Sequence, residues 1–256
     1  MPNFSVVIIT FNEQDIIEKC VNACAQVSDD IVVIDSFSTD KTKEICEKLG
    51  VNFISQKWLG YSEQKNFAKN HVIHDWILYI DADEVLSNKA IENYKSIVLD
   101  KKEIVYKILR LNKYCGKWIK HGRWYPEWRN RLFHKDFAKW NSDIVHEDVE
   151  AITNEKFETI KLLGDVLHYS IESKKEHLEK INLYANLSAQ KMYDKGKKAS
   201  IVKRYLSPIS RLLVDYFLKL GFLDGRLGFQ IAWLSSYETY LKYKILKRIE
   251  QKNGNK

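Results

Sequence analysis

The chain has 256 residues and carries 41 Lys and Arg against 34 Asp and Glu, a formal charge of +7. That length builds one α/β domain with an appendage, or two small domains, and the ordinary apolar content excludes a disordered or fibrous chain. The charge is uneven: residues 196–256 hold 13 basic and 4 acidic side chains, so the first 195 sum to about −2, which argues against a nucleic-acid-binding body.

Residues 4–10 (FSVVIIT) form a continuous β-branched run, the pattern of a strand covered on both faces. The start of the chain lacks a basic n-region, so no secretory signal is expected. Asn12 is placed to cap a helix in which Ile16, Ile17, Cys20, Val21, Cys24 and Val27 recur at helical spacing. A second apolar strand, 31–34, ends at Asp35. A polar turn follows, and Asp40 is an N-cap candidate for a helix closed by Gly50. A third strand spans 51–54, and a helix over about 62–71 leads to the apolar run 76–80. This β-α-β-α-β-α-β order predicts a parallel sheet with ligands at the carboxyl ends of its strands. Helices of about 10–14 residues are expected.

The fourth strand ends in Asp81-Ala82-Asp83-Glu84. Residues i and i+2 of a strand share a face, so both aspartates can converge on one hard cation, and such a cation can hold a diphosphate. A solvated acidic turn or a helix N-cap is the alternative. Neither common glycine-rich phosphate loop is present, so a bound nucleotide needs another counter-charge. Three polar loops converge at the predicted carboxyl edge: Thr10-Phe11-Asn12-Glu13, Asp35 through Asp40, and the acidic stretch from Asp81.

Beyond residue 100, a strand is expected over 103–111. Residues 117–134 are crowded with Trp118, His121, Arg123, Trp124, Trp128, Arg129 and Arg131. Aromatic faces stack on sugar rings and guanidinium forks grip oxyanions; an aromatic core strand edged by surface arginines is the alternative. Residues 173–195 read as helical. Ser207-Pro208 predicts the start of a helix with the apolar stripe Ile209, Leu212, Leu213, Tyr216, Phe217 and Leu220, ended by Gly221 and bordered by Lys203, Arg204, Arg211 and Lys219. That stripe suits either an anionic membrane surface or packing against protein. A last helix is expected over about 226–248. No uncharged stretch reaches the roughly 18 residues of a spanning helix, and Cys20, Cys24, Cys46 and Cys115 lack a metal spacing, consistent with a reducing cytosol.

With these blocks in place the chain resembles a family-two glycosyltransferase of the GT-A fold. Thr10-Phe11-Asn12-Glu13 is similar to that family's first loop, 32–40 to its second, and Asp81-Ala82-Asp83 to its metal-binding Asp-x-Asp. Many members have two consecutive acids in the second loop, where this chain has Asp35 then Ser36. Gly60 through Phe67, Gly116 through Ile119, Arg131-Leu132-Phe133, Val145-His146-Glu147 and Gly221 through Gly225 resemble a bacterial subgroup that includes lipopolysaccharide inner-core β-1,4-glucosyltransferases.

The resemblance implies a mainly parallel, Rossmann-like GT-A sheet flanked by helices, with a C-terminal α-helical extension. The catalytic domain would span 1–170, with a nucleotide-sugar half to about residue 100 and an acceptor half to 170. Residues 171–256 would form a helical region that associates with membrane or dimerises. The implied reaction is inverting, metal-dependent hexose transfer, most simply glucose from UDP-glucose, to a cell-surface glycan or glycolipid at the cytoplasmic membrane face. Asp83 and Asp81 would hold Mg²⁺ or Mn²⁺. Thr10, Phe11, Asn12, Glu13, Asp35, Gln64, Lys65 and Asp81 would bind the nucleotide sugar. Trp118, Arg123, Trp124, Arg129, Arg131 and His146 would contact acceptor or phosphate, and Glu147, with Asp148 as alternative, would be the base. His-Glu-x-x-His is not met, because Glu150 stands where the second histidine would be. A peptide- or protein-directed glycosyltransferase, a nucleic-acid-binding protein and an inactive scaffold are the alternatives.

Overall fold

The computed structural model describes residues 3–141, 147–153 and 155–254. The chain divides into two compact units, one of 1–111 with 127–169 and one of 112–126 with 170–256.

In the first unit the predicted alternation is present. Strands β1 (Phe4–Thr10), β2 (Ile31–Asp35), β3 (Asn52–Ser55) and β4 (Trp76–Asp81) are joined by helices α1 (Ile17–Cys24), α2 (Thr42–Lys48) and α3 (Tyr61–Ala68). They lie side by side and parallel in the order β3-β2-β1-β4. Successive side chains of a strand point to opposite faces, and the core follows that rule. Phe4, Val6 and Ile8 pack with α1 and α2 on one face, whereas Val7 and Ile9 pack with Ala68 of α3 on the other.

After β4 the sheet turns antiparallel. Short β5 (Glu84–Leu86) and α4 (Asn88–Tyr94) precede β6 (Ile104–Tyr114), β7 (Lys117–Trp118) and β8 (Glu127–His134). The hairpin β9 (Ala138–Trp140) and β10 (Val149–Ala151) and the long β11 (Glu158–Ile171) complete the strands among the described residues. β8 pairs with β4, placing Leu132 opposite Leu78 and Phe133 opposite Ile77. The arginine-rich segment thus contains a core strand: Phe133 stacks on Tyr79 at 5.1 Å, Arg131 is buried and Arg129 is exposed. Gly164 of β11 has φ +96°, and a Cβ there would overlap the backbone of Ala90 in α4.

The first three helices are shorter than expected. α1 has 8 residues, α2 7 and α3 8, the last continuing as a 3-10 turn to His71. Asn12 does not cap α1. It sits at φ 56°, and its Oδ1 accepts the Thr39 amide at 2.8 Å, binding the first loop to the second. A long-range contact has displaced the local cap.

In the second unit, α5 (Lys174–Asp194), α6 (Ile201–Leu213) and α7 (Gly225–Gly254) pack as a helical group, with α7 against both others. α6 begins at Ser200, whose side chain accepts from the Lys203 amide, rather than at Ser207. Pro208 therefore lies inside the helix. It is buried, and its carbonyl accepts the Ser236 hydroxyl of α7 at 2.8 Å, so tertiary packing outweighs the lost backbone bond. A π turn at Val214–Leu218 and a 3-10 turn at Gly221–Asp224 lead into α7. No helix of the described residues is long and apolar enough to cross a membrane. Cys20, Cys24 and Cys46 are buried, Cys115 is half-buried, and all four are unpaired.

Candidate active site

The carboxyl ends of β1, β2 and β4 meet in register: Thr10 lies opposite Asp35, and Ile9 opposite Asp81. Asp35 is buried and accepts the Ser38 amide at 2.9 Å and the Ser38 hydroxyl. The Asn12 amide donates to Ser38 Oγ at 2.8 Å, so the two loops are laced together. Phe11 and Phe37, each one residue before a laced position, remain exposed. Glu13 donates its amide to Thr42 Oγ1 at 2.9 Å. Gln64, fully buried in α3, reaches Ser36 Oγ and the Gln56 carbonyl, both at 3.3 Å.

Lys65, one residue on, is 1% exposed, and its ammonium lies 3.0 Å from Glu147 Oε1 and 3.1 Å from Asp81 Oδ1. It also stands 4.4 Å from the Trp140 ring centre. Arg131 of β8 approaches Asp81 Oδ2 at 2.6 Å and Glu84 Oε1 at 3.4 Å. Glu84 is fully buried; it also accepts the Asp81 amide at 3.0 Å and faces Arg110 at 3.4 Å. Arg110 in turn grips Glu127 with two bonds of 2.8 Å, a bidentate pairing.

Burial opposes charge on Asp81, yet the Arg131 guanidinium, the Lys65 ammonium and Arg110 hold its carboxyl well below the usual carboxylate range. Burial likewise opposes charge on Arg131, but Asp81, Glu84 and Glu147 keep it firmly protonated.

β4 ends at Asp81, and residues 82–83 form a turn, so the two aspartates do not share a strand face. Asp81 faces two cations of the protein, while Asp83 Oδ2 lies 3.1 Å from His168 Nε2 of β11. The Asp83 carbonyl also accepts the Tyr169 amide at 2.9 Å, fixing this turn against β11. Among the described residues no three acidic, histidine or cysteine side chains cluster for a metal. One carboxylate and one imidazole still suit a divalent ion whose remaining positions are filled by phosphate oxygens and water. Several buried polar atoms here lack a hydrogen-bond partner among the described residues, Thr10 Oγ1, Gln64 Oε1, Trp140 Nε1 and Glu147 Oε2 among them. Buried polar groups are seldom left so, and such atoms suit a polar ligand.

The remaining predicted site residues are placed as follows. Asp148 binds Asn130 at 2.8 Å and does not join the Lys65 cluster. Arg129 pairs with Glu127 at 2.6 Å. His146 lies outside the described residues. Trp118, Arg123 and Trp124 belong to the second unit. There Arg123 pairs with Asp215 at 2.9 Å, and Trp124 packs edge-on against Tyr114 at 5.4 Å.

The sequence model of Glycosyl transferase family 2 matches residues 5–155. An uncharacterized glycosyltransferase of Rickettsia typhi is 30% identical over all of this chain and 90% of its own length. The lipopolysaccharide core biosynthesis glycosyltransferase LpsC of Rhizobium meliloti is 26% identical over 95% of this chain and 94% of its own. Among solved structures, a mannosyltransferase of Pyrobaculum calidifontis, in complex with GDP-mannose and Mn²⁺, superimposes with a TM-score of 0.56 at 13% identity, covering 100% of this chain and 88% of that one. That likeness agrees with the GT-A architecture, and the family match together with the full-length relatives makes this chain a glycosyltransferase of family 2.

Proposed function

We propose that this protein transfers a hexose, most simply glucose, from a UDP-sugar to a hydroxyl of a cell-surface glycan such as the inner-core heptose of lipopolysaccharide, with inversion at the anomeric carbon. One observation carries the reading: Lys65 draws Glu147 and Asp81 to the carboxyl edge where β1, β2 and β4 end. Glu147 is the base, and no second side chain is assigned as a nucleophile, which suits a single displacement. The acceptor oxygen bonds to the anomeric carbon as the bond to the diphosphate oxygen breaks. The electron pair leaves with the diphosphate, and the hydroxyl proton passes to Glu147.

Asp83 and His168 are the residues that would hold Mg²⁺ or Mn²⁺, which would neutralise the departing diphosphate. Asp35, with the Thr10–Glu13 loop, would hold the nucleoside, and Lys65 would orient Glu147. Arg131, engaged with Asp81 and Glu84, acts by fixing Asp81 rather than by touching phosphate. The lipopolysaccharide assignment is supported by the likeness to the lipopolysaccharide core biosynthesis glycosyltransferase of Rhizobium, and the metal by the Mn²⁺ in the Pyrobaculum complex. Four unpaired cysteines suit a cytoplasmic setting.

The test is release of nucleotide from UDP-glucose, UDP-galactose and GDP-mannose with and without Mn²⁺, followed by transfer to core oligosaccharide and determination of the product anomer. Glu147→Gln should abolish transfer while donor affinity stays within a few-fold. Near-normal turnover in that variant removes Glu147 from the role.

A further inference from the structure

Large apolar side chains are exposed unevenly. Of 26 that stand out to solvent among the described residues, 14 fall between Ile201 and Tyr237, all within the second unit. On α6, Val202, Leu206, Ile209 and Leu213 recur at helical spacing and form one outward stripe. The stripe runs on through Phe217 to α7, because Phe217 meets Tyr216 at 5.1 Å and Tyr216 meets Phe229 at 5.5 Å. Phe229 then stacks on Trp233 at 6.3 Å. A cluster of exposed apolar side chains of this kind marks an interaction site.

Its charged surroundings select the occupant. Lys197, Lys198, Lys203, Lys219 and Arg226 are all exposed, and residues 196–256 carry an excess of nine positive charges. Arg204 and Arg211, by contrast, are engaged with Tyr240 and Asp215. A second copy of the chain would set this basic surface against itself, an arrangement disfavoured by like-charge repulsion. An anionic bilayer offers a complementary charge and an apolar layer, and exposed Trp and aromatic side chains beside lysines are suited to its interface.

We infer that α6, the turn after it and the first half of α7 form a monotopic membrane-binding surface for anionic phospholipid, lying in the headgroup layer rather than crossing it. This rests on the second unit alone and holds or fails independently of the proposed sugar transfer.

The experiment is flotation of the full chain with vesicles of phosphatidylcholine alone and of phosphatidylcholine with phosphatidylglycerol, at low and high salt. The chain should float with the anionic vesicles, weakly with the neutral ones, and less as salt rises. Lys203→Ala with Lys219→Ala should weaken partitioning about 25-fold, taking each basic residue as about fivefold. Phe217→Ser with Trp233→Ser should abolish it while the circular dichroism spectrum is kept. Absence of flotation on anionic vesicles overturns the inference. So does flotation unchanged in both double variants, or a dimer by sedimentation that only Phe217→Ser with Trp233→Ser dissociates.

Discussion

Lys65 donates to Glu147 across 3.0 Å, joining residues 82 positions apart in the chain. A lysine side chain that is 1% exposed is held there only by its partners, here two carboxylates and an indole face. Lys65→Met should lower stability by about 3 kcal/mol, the lower end for breaking a buried pair, because Arg131 still neutralises Asp81. It should also lower kcat more than it raises KM. Lys65→Arg should not restore activity, because the broad guanidinium fork does not replace a compact ammonium. Urea unfolding and steady-state kinetics check both; wild-type kcat in Lys65→Met would show that Glu147 needs no such support.

Asp83 and His168 make a second prediction, read by binding rather than turnover. Calorimetric titration of UDP should show tighter binding with Mn²⁺ than with a chelator. His168→Ala or Asp83→Asn should erase about 10- to 100-fold of that advantage. Equal affinity with chelator and with Mn²⁺ in the wild type would end the metal assignment.

His177 gives a pH dependence. Its Nδ1 lies 3.0 Å from the Tyr114 hydroxyl, which also accepts from Gln230 at 2.7 Å, and burial, reinforced by Lys180, pushes its pKa down to about 4. On acidification the unfolded chain takes up this proton first, near pH 6.5. Stability from this group is therefore unaffected above about pH 6.5 and falls as pH drops from there towards 4. His177→Gln should lose less in melting temperature than the wild type between about pH 7 and pH 5. Identical slopes would mean that the imidazole is not held neutral.

Gly164 tests the packing of β11 on α4. Any Cβ there meets the backbone of Ala90, and φ is +96°. Gly164→Ala should cost about 3 kcal/mol, from overlap and strained backbone together. Gly196, at φ +68° with open space around it, supplies the control: Gly196→Ala should cost about 1 kcal/mol, from backbone conformation alone. Equal losses in urea unfolding would contradict the close approach.

The parallel half is legible because three of its four strands, β1, β2 and β4, are covered on both faces and read as largely apolar runs. The antiparallel half was obscured by charge. β8 contains Arg129 and Arg131, and only the fold distinguishes the exposed one from the buried one. α6 starts seven residues earlier than its sequence suggests because Ser200 and Ser207 are both competent caps, and the buried environment of Pro208 is not written in its neighbours. Within the site, Asp81 and Asp83 stand out by their spacing at the end of an apolar run, whereas Lys65 and Glu147 come forward only through the resemblance. Glu84 was visible beside them but carried no signal of its full burial. His168 is 85 residues from Asp83, in a strand with no distinguishing pattern, so nothing short of the fold brings it forward. A charged residue beside apolar ones in a strand, as with Arg110 and Arg131, is the hint the sequence carries of a buried ion pair.

The cysteines have a practical consequence for spectroscopy. Burial raises the Cys46 thiol to about 11. A hydrogen bond with Cys24, followed by burial, raises the Cys20 thiol well above its ordinary value, and Cys24 lies in the same apolar interior. Cys115 alone of the four reaches solvent. A maleimide fluorophore added to the unmodified protein should therefore attach at that single position and report on the second unit without any engineered substitution.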